Sequence, residues 1–161
     1  MIQNFTHCYK IGSNAEKRFA NKHLTNIIWP TKSQDMFEHW DVSGIFNNQQ
    51  YKFDVKTTNR LSYSTPDNLM DSAWVEGTNV SGHKGWVKGN ADYIVFEREE
   101  TWLIVDRKEL LNLTMKKLQN NNFIKGKGVY LLHTRTGRKD KVTKVLFNDM
   151  KEFCRTYELS K

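Results

Sequence analysis

Tyr51-Lys52-Phe53-Asp54-Val55-Lys56 alternates apolar and polar side chains without a break. A period of two marks a strand with one buried face. Tyr51, Phe53 and Val55 then point to the core, and Lys52, Asp54 and Lys56 line the opposite face. Asp54 and Lys56 project the same way, about 7 Å apart along the strand. A second acid, Asp41, lies upstream in a run from Trp40 to Phe46 that also reads as a strand. The polar segment Asn47-Asn48-Gln49 between the two runs is short enough to predict an antiparallel hairpin. Two acids and a lysine on one sheet face suit a hard cation and a phosphate.

Outward from this hairpin, the pattern predicts a mixed α/β protein. Ser13 and Glu16 have the spacing of a capping box, which places a first helix from Asn14 to about Leu24, with Ala15, Phe19 and His23 on one stripe. Pro30 ends that region, and residues 59–71, broken by Pro66, read as a loop. Ala73 to Glu76 reads as a third strand. Ala91 to Glu97 and Thr101 to Val105 form a second hairpin about the charged turn Arg98-Glu99-Glu100. Asp106 caps a helix from Arg107 to about Gln119. Gly126 and Gly128 precede a strand from Val129 to His133, and Val142 to Phe147 is a last strand. Asn148 starts a terminal helix reaching about Glu158. The expected fold is a single domain over residues 1–161, with a mixed central sheet flanked by helices.

Composition narrows the classes further. The chain has 161 residues, 12% of them aromatic, and only two prolines. It can therefore bury a core, and nothing in it reads as disordered. Cys8 and Cys154 are far apart, lack metal-ligand spacing and read as free thiols of a reducing cytosol. No apolar run approaches the roughly 18 residues of a membrane span, and Met1-Ile2-Gln3-Asn4 does not begin a signal peptide. The net charge of +7 and a pI near 9.4 fit a protein that meets nucleic acid.

Taken together, the ordered elements resemble the PD-(D/E)XK nuclease superfamily, the restriction-endonuclease-like fold. Asp41 corresponds to the first motif acid, with Trp40 in place of the usual proline, and Asp54-Val55-Lys56 to the (D/E)XK element. Glu16 corresponds to the acid that many members carry on the first helix, although the capping box is a second reading of it. Gly82 to Glu97 looks like the helix-to-strand step of some small phage members. The resemblance covers roughly residues 10–105 and implies a metal-dependent DNA endonuclease active in bacterial cytoplasm. Asp41, Asp54 and the Val55 carbonyl would hold Mg²⁺ or Mn²⁺, and Lys56 would act on the attacking water or the phosphorus. A homodimer is implied if the enzyme is of the Holliday-junction-resolvase kind. A noncatalytic nucleic-acid-binding module on the same fold and a ribonuclease are the alternatives.

Other residues have roles of their own. His83, Lys84 and Lys88, in the glycine-rich stretch 80–90, are candidate phosphate contacts. Arg135, Arg138, Lys139 and Lys141 form a basic turn that could follow a nucleic-acid backbone. Glu76 is the remaining acid that could join the site. His23, His39, Asp92 and the pair Lys116-Lys117 read as structural or solvated.

Overall fold

The computed structural model describes residues 3–57, 72–98, 101–118 and 128–158, with side chains from residue 12 to residue 157 within those ranges. The hairpin expected around Asn47 and Asn48 is present. Strand β2 (Val42–Phe46) pairs antiparallel with β3 (Gln49–Lys56), with Phe46 opposite Gln49. Asn47 and Asn48 both have positive φ, 50° and 66°, as a two-residue turn matching the strand twist requires. Asparagine reaches this region more readily than most residues.

Six strands form one mixed sheet in the order β1-β2-β3-β5-β6-β8. Here β1 is Thr25–Ile28, β5 is Tyr93–Glu97, β6 is Thr101–Asp106 and β8 is Cys154–Glu158. Among the described strands only the β3–β5 pair is parallel, with Asp54 opposite Ile94. Two further strands, β4 (Ser72–Thr78) and β7 (Lys141–Leu146), make a separate antiparallel ribbon.

The period of two sorts the core onto both faces of the large sheet. Phe53, Val55, Val95, Trp102 and Ile104 face helix α1 (Gln3–His23), meeting its Ala15, Phe19 and Ala20. Ile94, Phe96, Leu103 and Val105 face the other way. They meet Ala73 and Val75 of β4, Val145 of β7, Trp86 and Leu110 of helix α3 (Arg107–Lys117). Asp54 and Lys56 belong by alternation to this second face, so the β4–β7 ribbon and its neighbours roof them over.

Several expectations need correction. Helix α1 starts at Gln3, so Ser13 lies inside it and caps nothing. Amide groups beyond a continuing helical turn already have ladder partners, and the capping-box reading of Glu16 falls away. A short helix α2 (Lys32–Glu38) follows β1, with a capping box formed by Thr31 and Gln34. Val129 to His133 is not a strand; it meets β7 only through isolated contacts, among them the bridge from His133 to Val142 and the Tyr130 amide donating to the Lys144 carbonyl at 2.9 Å. No helix is capped by Asn148. Phe147–Phe153 is a 3-10 segment, and β8 follows it as the partner of β6. The edge of β6 offers a row of unpaired backbone groups, and Tyr157 packs against Phe46 and His23, so a strand wins there over local helix propensity. The Asp106 cap holds, its carboxylate accepting from the Glu109 amide at 2.9 Å. The loop expected over 59–71, Gly126 and the Glu99-Glu100 part of the hairpin turn lie outside the described residues. Cys154 is a free thiol. No helix among the described residues is long and apolar enough to cross a membrane.

Candidate functional site

The hairpin register puts Asp41 beside Asp54. Asp41 precedes β2, and its amide donates to the Phe53 carbonyl at 2.8 Å. Its Oδ2 accepts from the Val55 amide at 2.7 Å. Both bonds fix the carboxylate against the strand that carries Asp54. The segment leading to Asp41 is clamped as well: Glu38 accepts from Trp40 Nε1 at 3.0 Å and from Lys52 Nζ at 3.1 Å, and Lys52 lies over the Trp40 ring. Trp40 thus fixes the approach to Asp41 by packing and a hydrogen bond.

Asp54 is 1% exposed. Its Oδ1 lies 2.5 Å from Lys56 Nζ, yet neither carboxylate oxygen has a well-directed hydrogen-bond donor. Lys56 is also half-enclosed, with its ammonium 5.0 Å from the centre of the Trp86 ring. The pair is therefore no solvated surface ion pair. A buried carboxylate without directed donors is costly unless a further partner meets it.

Burial pushes the Asp41 carboxyl well above its usual range, and the Asp54 charge adds to the rise. Lys56 opposes it, while the charge of Glu16 reinforces it. Two adjacent carboxylates repel, and that repulsion favours the neutral form of Asp41. Glu76 on β4 is raised too, by burial first, against the pull of Lys56, Arg135 and His39. Glu16 and Glu76 thus lie within electrostatic reach of the site. Among the described residues, however, no three His, Cys, Asp or Glu side chains converge as a ready-made ion cage.

Gly85 is what lets these pieces meet. A Cβ there would lie 3.0 Å from Cγ of Glu76 and closer still to its carbonyl oxygen. Only glycine admits that approach, and it sets Trp86, the first residue of the 3-10 turn Trp86–Lys88, against Lys56. The role of Trp86 was missed from sequence, because nothing local to residue 86 signals a partner thirty residues upstream.

The two basic segments, distant in the chain, are neighbours. Lys139 donates its amide to the Val80 carbonyl at 3.3 Å, and a Cβ on Gly82 would lie 3.1 Å from Lys139 Cδ. His83, Lys84, Lys88, Arg138 and Lys139 are all exposed. Arg135 is held by buried Asp140, which accepts from its Nε at 2.5 Å. Among the residues read as structural, His39 ends α2 with φ 56° and donates from Nε2 to the Lys84 carbonyl at 3.0 Å. Asp92 accepts from the Lys52 amide at 2.8 Å and joins β3 to β5. His23 packs between Phe19 and Tyr157. Lys117 pairs with Asp149.

The fold and site together define a mixed α/β protein with an acid–acid–lysine group on one sheet face, its Asp54 buried. No family model, curated protein or solved structure matches the chain.

Proposed function

We propose that this chain is a metal-dependent nuclease that hydrolyses phosphodiester bonds of DNA, with a restriction-endonuclease-like site of the PD-(D/E)XK kind. The observation that carries this reading is the Asp41–Asp54 pair, with Asp54 buried and Lys56 2.5 Å from it on the same sheet face. The donor set fits a hard divalent cation. Asp54 has two buried oxygens without directed donors, and the Asp41 carboxyl is raised by burial and then by its neighbour's charge. Mg²⁺ takes one or two carboxylates and fills its remaining positions with water and phosphate oxygens, so two acids suffice. Asp41, Asp54 and the Val55 carbonyl would hold the ion, or Mn²⁺ in its place. When bound, it supplies charge neutralisation and an acidified water.

The remaining work falls to this chain's own groups. The Val55 amide holds Asp41 Oδ2 in place, leaving Oδ1 for the cation. Lys56 keeps a positive charge beside the reacting phosphate, where it orients the attacking water and offsets the charge that builds on phosphorus. Trp86 and Asp54 restrict where that ammonium can sit. Glu16, freed of a capping role, adds negative charge on the Asp41 side.

Digestion of plasmid and four-way DNA with Mg²⁺ tests the proposal. Cutting should appear with the parent chain and vanish with Asp54→Ala. Cutting by the variant at the parent rate would remove Asp54 from the site. A parallel digestion of RNA decides between polymers. A resolvase-type activity in bacterial cytoplasm would need paired sites, and sedimentation showing only monomer would exclude it.

A noncatalytic nucleic-acid-binding module is the second reading. It is favoured by the lack of a third converging acid among the described residues. Calorimetry separates the two: a nuclease binds Mn²⁺ through Asp41 and Asp54, and a pure binder has no need to.

A further inference from the structure

Residues 79–84 and 134–139 are fifty or more residues apart in sequence, yet they share one surface. The Lys139–Val80 hydrogen bond and the packing of Lys139 against Gly82 join them. Gly82 has φ +89°, a conformation that most side chains would strain, so the close approach and the turn both call for glycine. Lys88 extends the surface along β4, its Cε 3.9 Å from where a Cβ on Gly77 would stand. Lys84, Lys88, Arg138 and Lys139 have no carboxylate partner among the described residues, whereas Arg18, Lys52, Lys56, Lys117 and Arg135 each have one. Exposed and without a carboxylate partner among the described residues, these four cations add positive charge to one surface.

This surface adjoins the site through the backbone itself. The Lys84 carbonyl accepts from His39, two residues before Asp41. Lys84 is also two residues before Trp86, whose ring carries the Lys56 ammonium. Four amides of the loop are already engaged, with Asn79 donating to the His83 carbonyl at 2.8 Å. Ser81 and His83 donate to Asn79 Oδ1 at 3.0 Å each, and Gly82 donates to the Asn79 carbonyl. Phosphate contact therefore rests on side chains and not on the glycine-rich backbone.

We propose that the loop 79–84, Lys88 and the turn 134–139 form one phosphate-contacting track that leads a DNA duplex backbone into the Asp41–Asp54–Lys56 site. The assignment to a duplex follows from what the track contains. Single-strand grooves pair cations with exposed aromatic rings on which bases stack. Residues 79–84, Lys88 and 134–139 contain no aromatic ring other than the His83 imidazole. A track of cations alone reads the backbone and leaves the bases paired.

The proposal rests on the phosphodiester reading of the site, but binding tests it without cutting. Fluorescence anisotropy of the full chain in EDTA is measured against a labelled DNA duplex, the single strand of equal length and an RNA duplex, across a salt series. The DNA duplex should bind tightest, with affinity falling linearly on a log–log salt plot. The variant Lys84→Ala/Lys139→Ala should bind more weakly and lower the slope by about 2, near 0.9 for each phosphate that is no longer neutralised. Its melting temperature should match the parent's, since both side chains are exposed. An unchanged affinity and slope in the double variant overturns the track, as does tighter binding of the single strand or the RNA duplex. Duplex binding without cutting by the parent would instead sink the nuclease reading and leave the track standing.

Discussion

Lys56 is held by an ion pair on one side and an aromatic face on the other. Its ammonium meets Asp54 at 2.5 Å and the Trp86 ring at 5.0 Å. In a nuclease, Trp86 is then a positioning residue that acts through the lysine. A cation–π contact of about 1 kcal/mol corresponds to roughly fivefold in rate. Trp86→Ala should therefore lower kcat about fivefold with KM for DNA little changed, and Trp86→Phe should restore most of the activity. An equal decrease in both variants would make the role one of core packing alone.

Asp41 makes a pH prediction at the same scale. Its carboxyl is raised in the folded protein, so the folded state holds this proton more tightly than the unfolded chain. Stability from this group is full at acid pH and falls as pH rises from the ordinary carboxylate range through the raised value. Urea titrations in EDTA at rising pH should show that fall in the parent and a flatter profile in Asp41→Asn. Mn²⁺ should restore the parent's stability at high pH and leave the variant unaffected. The same slope in both proteins would contradict the assignment.

Among the elements, the β2–β3 hairpin matters most, because a slip of one residue would send Asp54 and Lys56 to the opposite face. The turn fixes that register through two left-handed asparagines. Asn48→Ala should cost about 1 kcal/mol and Asn48→Gly should cost nothing or stabilise, measured by chemical denaturation. This hairpin was legible from alternation and a short polar turn, as were the β5–β6 hairpin and the Asp106 cap. Helix α2 was not, since seven residues with no buried side chain carry no periodic signal. Strand β8 was not either, because Asn148 offers a local helix start while the demand of the open β6 edge is not local.

The whole molecule is a sheet cored on both faces. Trp102 sits 1% exposed on the α1 side, in edge contact with Phe19 at 5.5 Å between ring centres. Trp102→Ala should cost about 3–5 kcal/mol in unfolding free energy, since the ring leaves a cavity that its neighbours cannot close. The site lies on the opposite face, beneath the β4–β7 ribbon.

Sequence by itself determined the strand that carries Asp54 and Lys56, its hairpin partner with Asp41, and the basic balance of the chain. These follow from periods, turn chemistry and composition, all of which act within a few residues. Tertiary structure decided that the pair is buried and not solvated, that Trp86 meets Lys56, and that two distant basic segments form one surface. It also decided that Ser13 is no cap, which returns Glu16 to the site's surroundings. Each of these depends on which element packs over which face, and that packing joins residues that carry no mark of one another in the chain.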